Sequence, residues 1–384
     1  MNVLTPLHVG NGNELTPVDF YPRENEILVL DVERLVDDLQ KLGADIEEIL
    51  GMIRNPAEDL YVWKKFLTEY KINPEQYAKY KLKVRGKIGK MSSRIREFIK
   101  ESGKPYIPGS SIKGAIRTAV MYEILKECGD TVTVVEALKE GTRIAGKDPI
   151  AIQGLIRSIE HPANHDILDY YIHYINMEIK RALQRRKKVN LKTVDDLLEA
   201  IVFGFDIGRG GIRHEPKRDP TRALIVRDSS KIPLNNLAVY EVRVIGADVN
   251  IPVWVEALEP NTRFNVEIIF DKELAERNSD YFNGLLWHCK GKELEEFIWK
   301  AVEDFYRELA KIDGIRGSNL LRIGWGKGWI SNTIGLLLKR KGQKWEQVRR
   351  KLGLGRKPGG KGISSMFPKT RRIANGMPMG WVEI

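Results

Sequence analysis

The sequence predicts an α+β fold, and three observations carry that expectation. Short runs rich in Val, Ile and Leu, such as residues 27–31 and 240–245, have strand length and are bounded by turn residues. Elsewhere apolar residues recur three and four apart: Leu294, Phe297, Ile298, Val302, Phe305 and Leu309 mark the buried face of a helix. Residues 131–203 show the helical pattern and read as an insertion between strand-bearing flanks.

A chain of 384 residues can bury one large core or two to three ordinary domains, and 42% hydrophobic content excludes wholesale disorder. No apolar run reaches the roughly 18 residues of a membrane span, and no charged stretch followed by an apolar one marks a signal peptide. The two cysteines, Cys128 and Cys289, lie far apart in sequence and imply a reducing compartment without a disulfide framework. A cytoplasmic location follows. The net charge of +11 is unevenly placed. Residues 311–384 hold 17 Lys/Arg against three acids, leaving 46 against 49 in the other 310 residues. A basic final fifth of this kind suits a polyanion, and nucleic acid is the commonest one in a cytoplasm.

In chain order, a short strand at Val3-Leu4 breaks into a Gly/Asn loop at residues 10–12. His8 beside it is either a base or a structural histidine at a strand end. A strand at 27–31 leads to a helix at 32–42, with Leu35, Val36, Leu39 and Leu42 on one face. Residues 44–100 read as helical and irregular, except that basic and apolar residues alternate from Tyr80 to Lys90. That alternation predicts a strand with one cationic or simply solvated face.

The rest of the chain is organised around residues 106–120. Pro108 and Gly109 form a turn, Ser110 is the expected N-cap, and Ile112, Ala115, Ile116 and Ala119 follow at helical spacing. A helix N-terminus favours acids in its first turn, yet here stand Lys113 and then Arg117. An anion bound by free N–H groups, Ser hydroxyls and these cations would resolve the conflict. Two exposed basic residues on a solvated helix would explain it equally.

Within the insertion, residues 166–188 form a long helix whose terminal Arg185-Arg-Lys-Lys188 suits the negative end of the helix dipole without a ligand. Thr193 opens the next helix and Gly204 ends it. His161, His165, His173, Asp166 and Asp169 are metal-ligand types. However, Pro162 interrupts them and no HExxH or CxxC spacing is present, so no metal or cofactor is assigned.

A basic Gly/Pro-rich loop is expected over 206–222, strands at 223–227, 240–245, 253–258 and 265–270, and a helix at 293–310. The run 314–329 is dense in glycine. It is not a phosphate-binding Walker loop, because Lys327 is followed by Gly328, and it lacks GxGxxG at a strand-to-helix turn. Two readings stand together. Either the glycines let Arg322, Trp325, Lys327 and Trp329 meet a nucleic acid, or the run is a hairpin with two core tryptophans.

Taken as a set, several stretches resemble the RAMP superfamily of type III CRISPR effector complexes. More narrowly, they resemble the fifth-subunit family of the type III-A (Csm) complexes. The stretches are Leu4-Thr-Pro-Leu-His-Val-Gly10, residues 107–118, residues 219–229, residues 256–264, Leu321-Arg-Ile-Gly-Trp-Gly-Lys-Gly-Trp329, Phe367-Pro-Lys-Thr-Arg-Arg372 and Gly380-Trp-Val. They span nearly the whole chain in the family's order. The resemblance implies RRM-like (ferredoxin-like) halves at 1–130 and 206–384, the second carrying the Gly-rich loop and basic tail, with the helical insertion at 131–205 between them. It also implies a non-catalytic subunit that binds the guide RNA (crRNA), caps the backbone of the complex near the guide's 3′ end and supports maturation of that end. The implied partners are crRNA, neighbouring Csm subunits and host trimming nucleases.

The RNA-binding residues carried over are Ser110, Ser111, Lys113 and Arg117 on the helix, Arg322, Gly324, Gly326, Lys327 and Gly328 on the loop, and Lys369, Arg371 and Arg372 in the tail. Two other readings remain open. One is a metal-independent endoribonuclease using His8, Tyr106 or His214; the other is a subunit that mainly recruits nucleases. The sequence departs from the family in having only Met1 to Val3 before the Leu-Thr-Pro, and in Asn261 where a turn glycine is usual. Asn tolerates the left-handed backbone region, so the turn is expected to survive.

Overall fold

The structure is a computed structural model. It describes residues 1–54, 60–88, 91, 94–187, 191–208, 211–246, 252–357, 362–365, 367–368 and 371–384, with side chains in the helix from 191 described from residue 196 onward. The chain begins with β1 (Asn2–Val3), β2 (Gly10–Leu15), β3 (Phe20–Pro22) and β4 (Glu26–Leu30). Three helices follow, α1 (Val32–Lys41), α2 (Ile46–Arg54) and α3 (Lys64–Glu69), then β5 (Ala78–Arg85), β6 (Ile95–Phe98), β7 (Lys100–Glu101) and β8 (Lys104–Pro105). The long α4 (Gly109–Cys128) leads into α5 (Thr131–Ile144), α6 (Gln153–Ile159), α7 (Ile167–Gln184) and α8 (Leu191–Phe203). Next come β9 (Phe205–Gly208), β10 (Gly211–His214), β11 (Leu224–Val226), β12 (Leu237–Ile245), β13 (Val253–Leu258) and β14 (Ile268–Phe270). The chain continues through α9 (Lys272–Arg277), α10 (Leu285–Lys290), α11 (Leu294–Asp313), β15 (Leu320–Arg322), α12 (Trp329–Asn332), α13 (Gly335–Arg340) and α14 (Gln343–Lys351). It ends with β16 (Arg371–Ala374), β17 (Met377–Pro378) and β18 (Trp381–Glu383).

Nine strands make one mixed sheet in the order β2-β6-β13-β12-β5-β4-β3, with β16 and β17 attached through β12. The β12–β5 and β13–β6 pairs are parallel and the others antiparallel. Strands from both sides of the helical run α5 to α8 therefore alternate in one sheet. A second sheet, β1-β18-β15, pairs Asn2 with Glu383 and Val3 with Val382.

Helices α4 and α11 supply the largest share of the helical core. Ile112, Ile116, Ala119 and Tyr122 of α4 are buried with Phe297, Ile298, Phe305 and Tyr306 of α11. Two hydroxyls in this seam are satisfied: that of Tyr306 donates to Ala115 O at 3.1 Å and that of Tyr122 to Glu308 at 2.8 Å. A separate cluster under α1 to α3 centres on Leu35, Leu39, Trp63 and Phe66, where Trp63 Nε1 donates to Val18 O at 2.8 Å.

Several elements differ from the sequence expectation. Residues 10–15 form a strand, not a Gly/Asn loop, and 95–98 form a strand inside a region expected to be helical and irregular. The two pair with each other around a bulge between Gly10 and Glu14. The stretch 206–222 opens with the β9–β10 hairpin. Each of these strands is short, and the ladder partners of β2 and β6 lie far along the chain, so local composition carries little trace of those two. Helix α4 starts at Gly109 with Pro108 as its N-cap, two positions ahead of the expected Ser110. The acid missing from its first turn comes instead from Asp228, whose carboxylate accepts from Gly109 N at 2.8 Å. Asn261 sits in the left-handed region at φ +69°, as its turn requires.

Candidate nucleic-acid interface

At the start of α4, Ser110 is exposed and Ser111 half-buried. The two cations turn inward. Lys113 Nζ donates to Leu224 O at 2.7 Å, and burial lowers its ammonium below the ordinary lysine range. Arg117 lies over the Phe203 ring at 3.9 Å, ion-paired with Asp219 and, at 2.6 Å, with Glu199. Burial pushes the Asp219 carboxyl up, but His214, Arg117 and Thr221 outweigh it and hold it below its usual value. This cluster joins α4 to the segment after β10 and to α8, so both cations already have intramolecular partners.

The Gly-rich run leaves β15 and is fixed against the opening strand segment. Trp325 N donates to His8 O at 2.8 Å and Ile323 N to Gly380 O at 2.8 Å. Gly324 has φ +75°, and a Cβ there would lie 2.3 Å from His8 O, so backbone occupies the space a side chain would need. His8 itself is 2% exposed. Its Nδ1 donates to Glu256 O at 2.6 Å, and burial lowers the imidazole to about 4. A neutral ring enclosed this way, edge-on to Phe98 and Trp325, is a structural histidine. Beneath it the fully buried Glu256 carboxylate takes bonds from Lys100 at 2.5 Å, Phe98 N at 2.7 Å and Tyr80 at 2.9 Å. Burial nevertheless pushes the Glu256 carboxyl above its ordinary range.

Gly326, Lys327 and Gly328 line a cavity of about 170 Å³ together with Arg322, Arg371 and Arg372. Arg322 is 5% exposed and braces the loop: it is 2.6 Å from Asp313 Oδ2 and donates to Met379 O and Ser331 Oγ at 3.0 Å. Arg371 takes the other oxygen of Asp313 at 2.5 Å, so this one acid is shared by two guanidinium groups. Lys327 has no such partner among the described residues; burial and the nearby Arg322 lower its ammonium to about 8. Lys369 lies outside the described residues.

Arg372 and Arg96 both stack on Trp325, with guanidinium carbons 4.6 and 4.8 Å from its ring centroid. Burial and the neighbouring Arg96 lower the Arg372 guanidinium. Among the described residues Arg372 pairs with no acid, and Arg96 reaches only Glu14 at 3.8 Å. Two like charges on one ring with so little neutralisation form a surface ready for an anion. Arg96 is the residue that sequence reasoning missed. Ile95-Arg-Glu-Phe98 does not alternate apolar with polar residues, so no local signal marked it. The structure thus brings Arg322, Gly326, Lys327, Gly328, Arg371 and Arg372 to one cavity wall, while the α4 residues lie elsewhere. Arg117 lines a different cleft, with Thr118, Asn332 and Thr333. Among the described residues no three or more His, Cys, Asp or Glu side chains gather as a metal site, and no helix is long and apolar enough to cross a membrane.

A family model for the RAMP superfamily matches residues 1–331. The CRISPR system protein Csm5 of Methanocaldococcus jannaschii is 33% identical over 123 residues, covering 31% of this chain and 29% of the relative. That of Streptococcus thermophilus is 28% identical over 128 residues, covering 31% and 36%. The chain therefore matches about a third of the length of these curated relatives. Solved structures match throughout. The crystal structure of T. onnurineus Csm5 superposes with a TM-score of 0.80 at 45% identity, covering 100% of this chain and 99% of that one. A chain in the cryo-EM structure of a type III-A Csm–crRNA–target RNA ternary complex gives 0.81 at 46% identity, covering 99% and 97%. On the family model and the full-length structural match, this chain belongs to the RAMP superfamily and, within it, to the Csm5 family.

Proposed function

We propose that the protein is a non-catalytic, RNA-binding subunit of a type III-A CRISPR effector complex. In this reading it holds the guide RNA near its 3′ end, caps the backbone of neighbouring Csm subunits, and supports maturation of that end in antiviral defence in the cytoplasm. Host trimming nucleases are its proposed transient partners. RRM-like halves at 1–130 and 206–384 around a helical insertion at 131–205 are part of the same proposal. Support comes from a relative in a Csm–crRNA–target RNA complex and from the two sheets, whose strands come from both flanks.

The observation that carries the RNA reading is the Trp325 stack with Arg96 and Arg372, beside the unpaired ammonium of Lys327. Guanidinium groups over an indole offer phosphate contacts and a stacking surface that ignore base identity, as a guide-binding protein requires because guide sequences differ. The Gly-rich loop brings backbone to the same place. Ser110 and Ser111 remain proposed phosphate contacts from α4. Lys113, Arg117 and Arg322 are proposed to act by positioning, because their charges are already engaged.

The test is binding of a labelled guide-like RNA at two salt concentrations, with the same samples run on a denaturing gel. Wild type is expected to bind in a salt-sensitive way and leave the RNA intact. Arg96→Ala/Arg372→Ala should weaken binding about tenfold and flatten the salt dependence by about two phosphate contacts. Unchanged affinity in that variant would overturn the assignment. Cleaved RNA would favour an endoribonuclease instead, with His214 beside Asp219 (3.3 Å) as the imidazole to examine.

A further inference from the structure

The sequence separates Cys128 and Cys289 by 161 positions, yet the fold brings them together. Cys128 is the last residue of α4, and Cys289 lies one residue before the end of α10. Their thiols face each other closely enough for each to perturb the other's titration, Cys128 downward and Cys289 upward. Independent contacts fix the same approach. Lys290, next to one cysteine, lies 2.7 Å from Glu127, next to the other, and Lys300 of α11 grips the second oxygen of Glu127 at 3.2 Å. Both cysteines are free and half-buried, packed at the edge of the main core. No other cysteine in the chain can compete for either.

We propose that Cys128 and Cys289 are an oxidisable dithiol that closes to an intramolecular disulfide, with a low-molecular-weight disulfide such as oxidised glutathione as the oxidant. The Cys128 thiolate attacks one sulfur of the small disulfide, forming a mixed disulfide and expelling one small thiolate, which takes up a proton. The Cys289 thiolate then attacks the Cys128 sulfur, forming the protein disulfide and expelling the second small thiol. Two protein thiols are oxidised and one small disulfide is reduced to two thiols, so atoms and electrons balance. The surroundings suit the first step. The neighbouring Cys289, aided by the Lys290 ammonium, lowers the Cys128 thiol against the opposing effect of burial. Cys289 is correspondingly raised by Cys128. The ion pair beside the thiols holds α4 and α10 together before the bond forms.

The bond would close a loop containing all of α5 to α8 and the β9–β10 hairpin. Constraining so long a loop in the unfolded chain stabilises the folded one. It would also bolt down the end of α4 opposite to Ser110 and Ser111. The inference does not depend on the proposed RNA function.

The experiment uses the full-length protein, equilibrated in buffers of defined oxidised-to-reduced glutathione ratio. Free thiols, intact mass, mobility on non-reducing gels and thermal midpoint are then read. The expected result is loss of both thiols together with a mass loss of two hydrogen atoms in a monomer. The midpoint should rise by roughly 5–10 °C and return on reduction. Cys128→Ser and Cys289→Ser should each abolish the rise and leave a single thiol. A persistent glutathione adduct, a disulfide-linked dimer, or two thiols still free in the most oxidising buffer would each overturn the proposal.

Discussion

Lys327 is a cation held where its charge is costly. Burial and Arg322 lower its ammonium to about 8, so near neutral pH it is charged but easily discharged. A phosphate placed against it favours the charged form, so RNA binding takes up a proton as the pH rises through 8. Affinity for guide-like RNA should therefore fall several-fold between pH 7 and 9, and Lys327→Met should bind more weakly with a flatter pH profile. Fluorescence anisotropy across that range checks this, and an unaltered profile in the variant counts against the contact. Glu256 is a different kind of buried charge, fully enclosed and bonded to Lys100, Phe98 N and Tyr80. Glu256→Ala leaves buried Lys100 with Glu97 as its remaining carboxylate and strips Phe98 N and Tyr80 of their acceptor, and should cost about 3–5 kcal/mol. Urea titration would show this, with Glu256→Ala/Lys100→Met recovering part of the loss. The sequence showed that Lys113 and Arg117 stand oddly in a first turn, but not why. Their partners Leu224, Asp219 and Glu199 lie 82 to 111 positions away, and Asp228, which supplies the missing acid, lies 119 from Gly109.

At the scale of elements, the Gly-rich loop depends on one close approach more than on its glycine content. Gly324 and Gly328 share nearly the same backbone angle, φ +75° and +77°, but only Gly324 has backbone in the way of a Cβ. Gly324→Ala should therefore destabilise the fold by about 3 kcal/mol or more, and Gly328→Ala by about 1 kcal/mol, the backbone cost alone. Paired thermal melts separate the two effects; equal losses would mean that the contact with His8 O is not what fixes the loop. Long helices were legible from sequence because their signal is internal. The apolar stripes of α1, α4, α7 and α11 repeat within each helix, and all four are present. Strand β5 was legible for the same reason, through its alternation. The strands β2 and β6 were not, since Gly10-Asn-Gly-Asn carries the composition of a turn and becomes a strand only through β6.

Across the whole molecule, the two flanks of the helical run share their sheets. Strands β5 and β6 border β12 and β13, and the first strand, β1, lies beside the last, β18. Trp381 of β18 is fully buried, its ring edge-on to Tyr306 and its Nε1 donating to Asp313 at 3.1 Å. A variant lacking residues 381–384 should therefore lose about 3–5 kcal/mol from the indole alone, with further loss as β1 and β15 come apart. Lower soluble yield and a reduced denaturation midpoint would register it, and a wild-type melt would contradict it. The alternation of distant strands was beyond local reading for the same reason as the cysteine contact. Neither has a signature within a window of sequence.

The β1–β18 pairing also sets a schedule for synthesis. Val3 is synthesised 379 positions ahead of its partner Val382. At roughly 5–20 residues per second the first strand waits about 20–80 seconds for that edge to be covered. The hydrogen bonds within helices α4 to α8 are local and can form in the meantime, but α4 buries its apolar face only once α11 has been made. The nascent chain thus carries that open strand edge until β18 has been made.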